Sequence, residues 1–138
     1  MSDRELTDDP SIADNADLWR RVPPRHIVDD HNTGGKRISK AAFDDSDDGS
    51  PMSVVLAELV LQSARTPQHI LVGYDGFSLV AISAGLVRSK QQGIVRDPIP
   101  GEPAHALVFG KKTDSVRRAL ARGSKWIVGP PGAPKSSH

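Results

Sequence analysis

The chain has 138 residues, no cysteine, and an aromatic content of only 4%. This length corresponds to about one domain, and the lack of cysteine excludes disulfides, cysteine-ligated zinc and a thiol nucleophile. No apolar run approaches the roughly 18 residues that a membrane-spanning helix needs, and the acidic first residues do not resemble a secretory signal. We therefore expect a cytoplasmic protein that makes no membrane contact.

Charge is distributed unevenly along the chain, although the net charge is only +1. Residues 1–17 contain six acidic side chains and one arginine, for a net charge of −5, and residues 111–138 contain seven basic side chains and one aspartate, for a net charge of +6. The two ends can attract each other, or the basic end can meet an anionic partner. We expect a disordered acidic arm at 1–16 and a disordered Pro/Gly/Ser tail at 130–138, on either side of one domain at 17–129.

The first half of this domain predicts two strands and a helix. Residues 18–22, LWRRV, predict a short strand that two prolines end. Residues 36–43 predict a second strand, which an acidic loop follows. Ser50 and Pro51 make a favourable helix start, because the serine hydroxyl can cap the first turn and proline is tolerated there. Apolar residues follow at three- and four-residue spacing, so we predict a helix that begins at Pro51 and ends at Ser63.

The second half is richer in strands. Five are predicted from apolar, strand-forming runs between turn residues: 69–73, 77–82, 93–97, 105–110 and the edge strand 125–128. Asp75-Gly76 is typical of a hairpin turn between the first two. A short helix is predicted over 84–91, and a second helix is capped by Thr113 or Asp114 and ended by Gly123.

Together these elements predict an α+β fold: a single compact domain with a mainly antiparallel sheet of about six strands and two or three helices. The apolar faces of the first helix and of the central strands predict the following buried residues: Leu56, Leu59, Val72, Val80, Ile82, Leu107 and Val108.

Residues 26–39, HIVDDHNTGGKRIS, concentrate polar and charged side chains in a predicted loop. His26, Asp29 and His31 offer the nitrogen and oxygen ligands that zinc or another divalent ion accepts. However, histidines five residues apart share a face on neither a helix nor a strand. The alternative is a polar loop whose Asp and Asn side chains bond to their own backbone, so we predict neither a metal nor another cofactor.

The same loop contains the elements of an anion site. Gly34 and Gly35 can turn their amides toward an anion, with Lys36 and Arg37 beside them and Asn32 just before them. No complete phosphate-binding motif of the G-x-x-x-x-G-K-[ST] type is present in the chain. From the glycine amides and the basic side chains we nevertheless predict anion binding at residues 32 and 34–37. The alternative is a β-turn in which the glycines supply positive φ.

A second candidate binding surface is the basic segment near the C-terminus. Its predicted members are Lys111, Lys112, Arg117 and Arg118. Such a patch can contact phosphates, but the chain is nearly neutral overall and has few aromatic side chains for stacking on bases. We expect the partner to be another protein, and nucleic acid or a nucleotide is the alternative.

An enzymatic function is the competing hypothesis. His26, His31, Ser39 and His105 are the candidate catalytic residues, although no G-x-S-x-G motif surrounds any serine. They would act on a phosphorylated or nucleotide-like substrate around the Gly34-Gly35 turn, provided that His105 converges with the loop.

A resemblance in fold bears on the same hypothesis. An arginine on an early strand (Arg20 or Arg21), a serine on the second strand (Ser39) and a late glutamate (Glu102) resemble the scheme of ADP-ribosyltransferase-like folds. The usual glutamate-x-glutamate pair is missing. We therefore favour a small binding or accessory protein that recognises its partner through loop 26–37 and the basic C-terminal helix, because no catalytic motif is complete.

Overall fold

Strands dominate the structure, a computed structural model that describes residues 6–130. The strands are β1 Asp17–Val22, β2 Ile27–Asp29, β3 Lys36–Ile38, β4 Met52–Leu56, β5 Ser78–Ser83, β6 Gly93–Arg96, β7 His105–Phe109 and β8 Lys125–Val128. The helices are α1 Ala57–Gln62, α2 Pro67–Ile70, α3 Ala84–Ser89 and α4 Asp114–Arg122. In this part of the chain no helix is long and apolar enough to cross a membrane.

Six of the strands form one sheet in the order β6-β7-β4-β1-β5-β8, and β2 and β3 form a separate hairpin. Every pairing within the sheet is antiparallel. The first strand of the chain lies near the middle of the sheet, where Leu18 pairs with Leu56 on one side and with Ile82 on the other. The predicted α+β domain with an antiparallel sheet of about six strands is confirmed.

The two faces of the sheet carry two separate cores, because successive side chains of a strand point to opposite faces. Leu18 and Val22 belong to the larger core, to which α3, α4 and segment 38–43 contribute. Trp19 belongs to the smaller core, which α1 and α2 cover. Candidate residues on opposite faces of the sheet therefore cannot belong to the same site.

Two predicted elements are wrong. Residues 52–56 form the inner strand β4, and the helix begins only at Ala57. This stretch is buried almost throughout, so its apolar residues fit a buried strand as well as a helix. The predicted strand 69–73 is instead the end of α2 and a turn, and Val72 is 73% exposed.

Three more predictions are wrong in part. The predicted strand 36–43 ends at Ile38, and a 3₁₀ turn follows it. The predicted loop 26–39 contains the hairpin of β2 and β3, and Asp75-Gly76 forms a turn between α2 and β5 and not a hairpin turn between two strands.

The remaining elements follow the predictions. Strands are found at 78–83, 93–96, 105–109 and 125–128, and the last of these is an edge strand. The Thr113 hydroxyl caps α4 by accepting a hydrogen bond from the amide of Val116, and Gly123 follows its last turn. Of the predicted core, Leu56, Val80, Ile82 and Val108 are buried, whereas Leu59 and Leu107 are half-buried.

The acidic arm departs from the disorder expected of it. Ile12 is buried in the larger core, with 3% of its surface exposed, and the Asp9 amide donates to the carbonyl of Ile94 at 2.8 Å. The arm therefore docks on the domain from residue 6 onward, because one apolar side chain and several carboxylates find partners there. Residues 1–5 and, apart from Pro130, the predicted tail 130–138 lie outside the described residues.

Candidate functional site

The polar loop and the basic helix, far apart in sequence, line one groove on the larger-core side of the sheet. Its volume is about 710 Å³. The residues that line it are Asp30, Asn32, Arg37, Ile38, Ser39, Lys40, Arg118, Ala121 and Arg122. The groove therefore joins the two surfaces that the sequence marked separately as binding surfaces.

Local hydrogen bonds shape the loop side of the groove. The hairpin pairs Val28 with Arg37, and at its tip the Asp30 carbonyl accepts a hydrogen bond from the Gly34 amide at 2.8 Å. Gly34 has φ +77°, a conformation that glycine adopts without steric cost. The Gly35 amide donates to the Thr33 hydroxyl at 3.2 Å. Both glycine amides are thus engaged within the turn, so the predicted anion cradle at Gly34-Gly35 does not form.

A short helical turn follows the hairpin in the chain and packs against α4. The chain leaves the strand at Ser39, whose hydroxyl accepts a hydrogen bond from the Ala41 amide at 3.2 Å and starts the 3₁₀ turn Lys40–Ala42. Ala42 is buried in the larger core together with Leu120 of α4. This packing holds Ser39 and Lys40 against the helix and closes one end of the groove.

The groove carries unneutralised positive charge. Within residues 6–130, the guanidinium groups of Arg37, Arg118 and Arg122 have neither an ion-pair nor a side-chain hydrogen-bond partner. The fourth cation of the lining, Lys40, forms an ion pair at 3.1 Å with Asp114, a residue that does not line the groove. Asp30 is the one acidic side chain in the lining, and a hydrogen bond from the Asn32 amide, with help from Thr33 and the charge of Arg37, lowers its pKa.

The other predicted binding lysines and arginines do not line this groove. Lys112 is almost fully buried, with 2% of its side chain exposed, and forms an ion pair with Asp45 at 2.9 Å. Arg117 lies 2.9 Å from the Asp44 carboxylate and also contacts Asp114. These two cations hold α4 and the strand before it against the acidic loop. The remaining two predicted cations are Lys36, which pairs with Asp29 on the hairpin, and Lys111, which is exposed.

The residues considered as metal ligands stay apart. In the described part of the chain no group of three or more His, Asp or Glu side chains is placed to hold a metal ion. His26 is half-buried, and burial together with the charges of Arg25 and Arg20 lowers its pKa. Asp29 pairs with Lys36, and His31 is exposed at the hairpin tip. The geometry therefore does not support a metal site in the loop.

His105 lies on the opposite face of the sheet from the loop. Its Nε2 atom is 3.1 Å from the hydroxyl of Ser53, and its Nδ1 atom is 3.1 Å from the carboxylate of Asp97. Together with Ser53 it lines a cavity of about 260 Å³ to which neither Ser39 nor the 26–37 loop contributes. The condition set for an enzymatic site around the Gly34-Gly35 turn, that His105 converges with residues 26–39, is not met, because the sheet separates them.

The scheme that resembled ADP-ribosyltransferase-like folds is not assembled. Arg20 is half-buried, the desolvation of its guanidinium lowers its pKa to about 10, and its Nε and Nη1 atoms donate to backbone carbonyls. Arg21 lines the His105 cavity, whereas Ser39 lines the groove on the other face. Glu102 is held by both Nη atoms of Arg65 at 2.9 and 2.8 Å, and this pairing lowers its pKa.

The sequence placed Arg122 with Arg117 and Arg118 near one side of the predicted helix, by its helical spacing, but Arg122 was not counted among the binding residues. Lys40 and Asp97 were not singled out, because they carried no comparable signal. Ser53 was placed in a helix, which hid its relation to His105 on the neighbouring strand.

Comparison with protein-family models, with curated proteins and with solved structures gave no match.

Proposed function

We propose that this chain is a binding protein that holds an acidic segment of another protein in the groove between the β2–β3 hairpin and α4. The observation that carries this proposal is the set of three groove arginines, Arg37, Arg118 and Arg122, none of which forms an ion pair or a side-chain hydrogen bond among the described residues. We further propose a cytoplasmic location, which the cysteine-free composition supports.

Concave positive charge of this kind favours a carboxylate or phosphoryl group. A guanidinium presents a planar fork of donors that matches such anions in a bidentate manner. Arg118 and Arg122 are separated by one helical turn and so project from the same side of α4, and Arg37 faces them from the hairpin as part of the same lining. An incoming acidic side chain would find donors on both walls.

The lining favours a protein over a nucleic acid. No aromatic side chain is among the groove residues, so bases would lack the stacking surface on which single-stranded binding sites depend. Asp30 and Asn32 can accept hydrogen bonds from the amides of a peptide backbone, donors that the phosphodiester backbone of DNA lacks. An acidic peptide segment therefore suits the whole set of lining groups.

Binding of labelled probes tests the proposal. The full chain is titrated into a fluorescein-labelled decaglutamate peptide, a phosphoserine-containing peptide and a single-stranded decanucleotide, and fluorescence anisotropy is measured at two salt concentrations. We expect at least one peptide to bind in preference to the oligonucleotide and to bind more weakly at the higher salt concentration. The double variant Arg118→Gln, Arg122→Gln should raise the Kd by at least about tenfold, the equivalent of about 1.4 kcal/mol.

A matched control removes the same number of charges elsewhere. Lys111→Gln combined with Lys125→Gln neutralises two exposed lysines that do not line the groove, and it should change the Kd by less than about twofold. Equal losses in the two double variants would show that only net charge matters and would contradict a groove. Preferential binding of the oligonucleotide would replace the protein partner by a nucleic acid.

A further inference from the structure

Three polar side chains form a cluster on the smaller-core face of the sheet, and they lie in or just after the neighbouring strands β6, β7 and β4. Ser53 lies on β4, His105 begins β7, and Asp97 follows the end of β6. His105 Nε2 is 3.1 Å from Ser53 Oγ, and His105 Nδ1 is 3.1 Å from Asp97 Oδ2. The register that pairs Val55 with His105 places Ser53 two residues along β4, within reach of the imidazole.

The surroundings of the imidazole determine which nitrogen carries the proton. Nδ1 faces two acceptors, the backbone carbonyl of Asp97 at 2.9 Å and its carboxylate. Neither can donate, so Nδ1 must carry the hydrogen of the neutral ring. Nε2 is then an acceptor, and the Ser53 hydroxyl must donate to it. The Nδ1–H thus donates to the Asp97 carbonyl, which fixes the tautomer, and the Asp97 carboxylate lies beside it. A histidine held in this tautomer can activate a serine as a nucleophile, and the nearby carboxylate can stabilise the imidazolium that forms.

The serine and the histidine open into a cavity rather than into packed core. Both line a space of about 260 Å³ whose floor is the sheet and whose walls are Ile70, Tyr74 and Ile99. Asp97 lies behind the histidine, with 25% of its side chain exposed. The volume is below the roughly 300 Å³ at which pockets for drug-sized ligands begin, so a reacting group here must be small.

A cationic donor accompanies the cluster in the same cavity. Arg21 lies on β1 opposite Ser53 on β4, because Trp19 pairs with Val55 in this antiparallel pair. Its Nε donates to the Ile70 carbonyl at 2.7 Å and its guanidinium stacks on Tyr74 at 4.2 Å, which fixes the group in place. Such a donor is what a developing oxyanion requires. The indole N–H of Trp19 has no acceptor among the described residues, but it is fully buried and does not open into the cavity.

We propose that this cluster hydrolyses small carboxylic esters with Ser53 as the nucleophile, an activity separate from binding at the groove. Ser53 Oγ forms a bond to the ester carbonyl carbon while its proton passes to His105 Nε2. The bond to the leaving alkoxide then breaks, and Nε2 returns the proton to the departing alcohol. Water attacks the acyl-serine by the same route, which releases the carboxylic acid and restores the serine hydroxyl.

The lining selects the ester. Apolar side chains of Val55, Ile70 and Ile99 suit a short acyl chain, and the guanidinium of Arg21 stabilises the negative oxygen of the tetrahedral intermediate. A long acyl chain would exceed the cavity. Acetyl and propionyl esters are therefore the expected substrates, and the rate should fall sharply as the acyl chain lengthens beyond butyryl.

A fluorophosphonate probe tests the nucleophile on the unaltered chain. We expect one covalent adduct, which peptide mass spectrometry assigns to Ser53, and we expect hydrolysis of p-nitrophenyl acetate to be lost as the adduct forms. Ser53→Ala and His105→Gln should each lower the hydrolysis rate at least about 100-fold, since a nucleophile and its base act as a unit. Circular dichroism establishes that each variant is folded.

Ser46→Ala is the matched control, because Ser46 is exposed and distant from the cavity lining. It should retain the full rate. The proposal is overturned if the probe leaves Ser53 unmodified, or if the folded Ser53→Ala variant hydrolyses the ester as fast as the unaltered chain. Either result would show that His105 only ties β7 to β4. Because the groove lies on the other face, Arg118→Gln, Arg122→Gln should leave ester hydrolysis unchanged, so the two proposals fail independently.

Discussion

The guanidinium of Arg88 donates from Nη1 to the carboxylate of Asp14 at 2.7 Å, and its Nε atom lies 3.2 Å from the carboxylate of Asp8. Arg96 makes a similar contact with Asp9. In the described part of the acidic arm, residues 6–16, the carboxylates thus pair with α3 and β6 and not with the basic helix α4. These carboxylates therefore leave the groove arginines available to a partner.

The docked arm should contribute to stability. Ile12 is buried beside the larger core, so Ile12→Ala should lower the free energy of unfolding by about 2–5 kcal/mol, as expected for truncating a buried isoleucine. Urea titration followed by circular dichroism measures this. Asn15→Ala, at an exposed position of the same arm, is the control and should have little effect. A loss no larger than that of the control would mean that the arm is not packed in solution.

Lys112 should prove structural even though its sequence context marks it as a binding residue. Its ammonium group donates to the Val108 carbonyl at 2.9 Å besides pairing with Asp45. Lys112→Met removes these interactions and should destabilise the fold by about 1.5–3 kcal/mol, the range for hydrogen bonds of a charged group. The folded variant should bind the acidic probe as well as the unaltered chain does. Weaker binding at unchanged stability would place Lys112 in the partner site.

Gly93 should tolerate no larger side chain. A Cβ atom at this position would lie 2.3 Å from the ring of Phe109, its partner across the β6–β7 pair. Gly93→Ala should therefore cost about 1–3 kcal/mol through overpacking. In a Phe109→Ala background the same change should cost much less, and a double-mutant cycle of unfolding free energies measures the difference. Equal costs in both backgrounds would show that the ring simply moves aside.

His26 should make stability depend on pH. Burial, and then the charges of Arg25 and Arg20, lower its pKa below the ordinary value of 6.5. As the pH falls through about 6.5 the unfolded chain takes up the proton first, so stability is lost from there down through the folded-state pKa. We expect a smaller loss between pH 7.5 and pH 5.5 for His26→Gln than for the unaltered chain, as measured by urea titration. Identical losses would assign the pH dependence to other groups.

One local signal was followed where it misled and passed over where it held. Ser50-Pro51 and Thr66-Pro67 are both a hydroxyl residue followed by proline, which is typical of a helix start, but only the first was used to predict a helix. Thr66-Pro67 does begin α2, with His69 completing the cap. Ser50-Pro51 leads into β4, because Met52–Leu56 fills an inner position of the sheet and burial outweighs the local preference. The predicted fold class was still correct, because the α+β assignment rested mainly on the other predicted strands.

The candidate sites depend on contacts that a single sequence does not show. The loop and the basic helix were each identifiable from composition, and Arg37 and Arg118 were named as binding residues. The loop and the helix line one groove only because the turn at Lys40–Ala42 packs on α4, and this contact joins residues far apart in the sequence. The relation between Ser53 and His105 required β4 to be recognised as a strand paired with β7.

The position of β1 between β4 and β5 also constrains how the chain folds. Leu18 pairs with Leu56 and Asp17 with Ser83, so β1 is synthesised well before both of the strands that it pairs with. Contacts so distant in sequence require large loops to close before any sheet is gained, which slows folding. During synthesis the apolar residues of β1 stay uncovered until Ser83 has emerged, and chaperone capture of this nascent segment would then compete with misassembly.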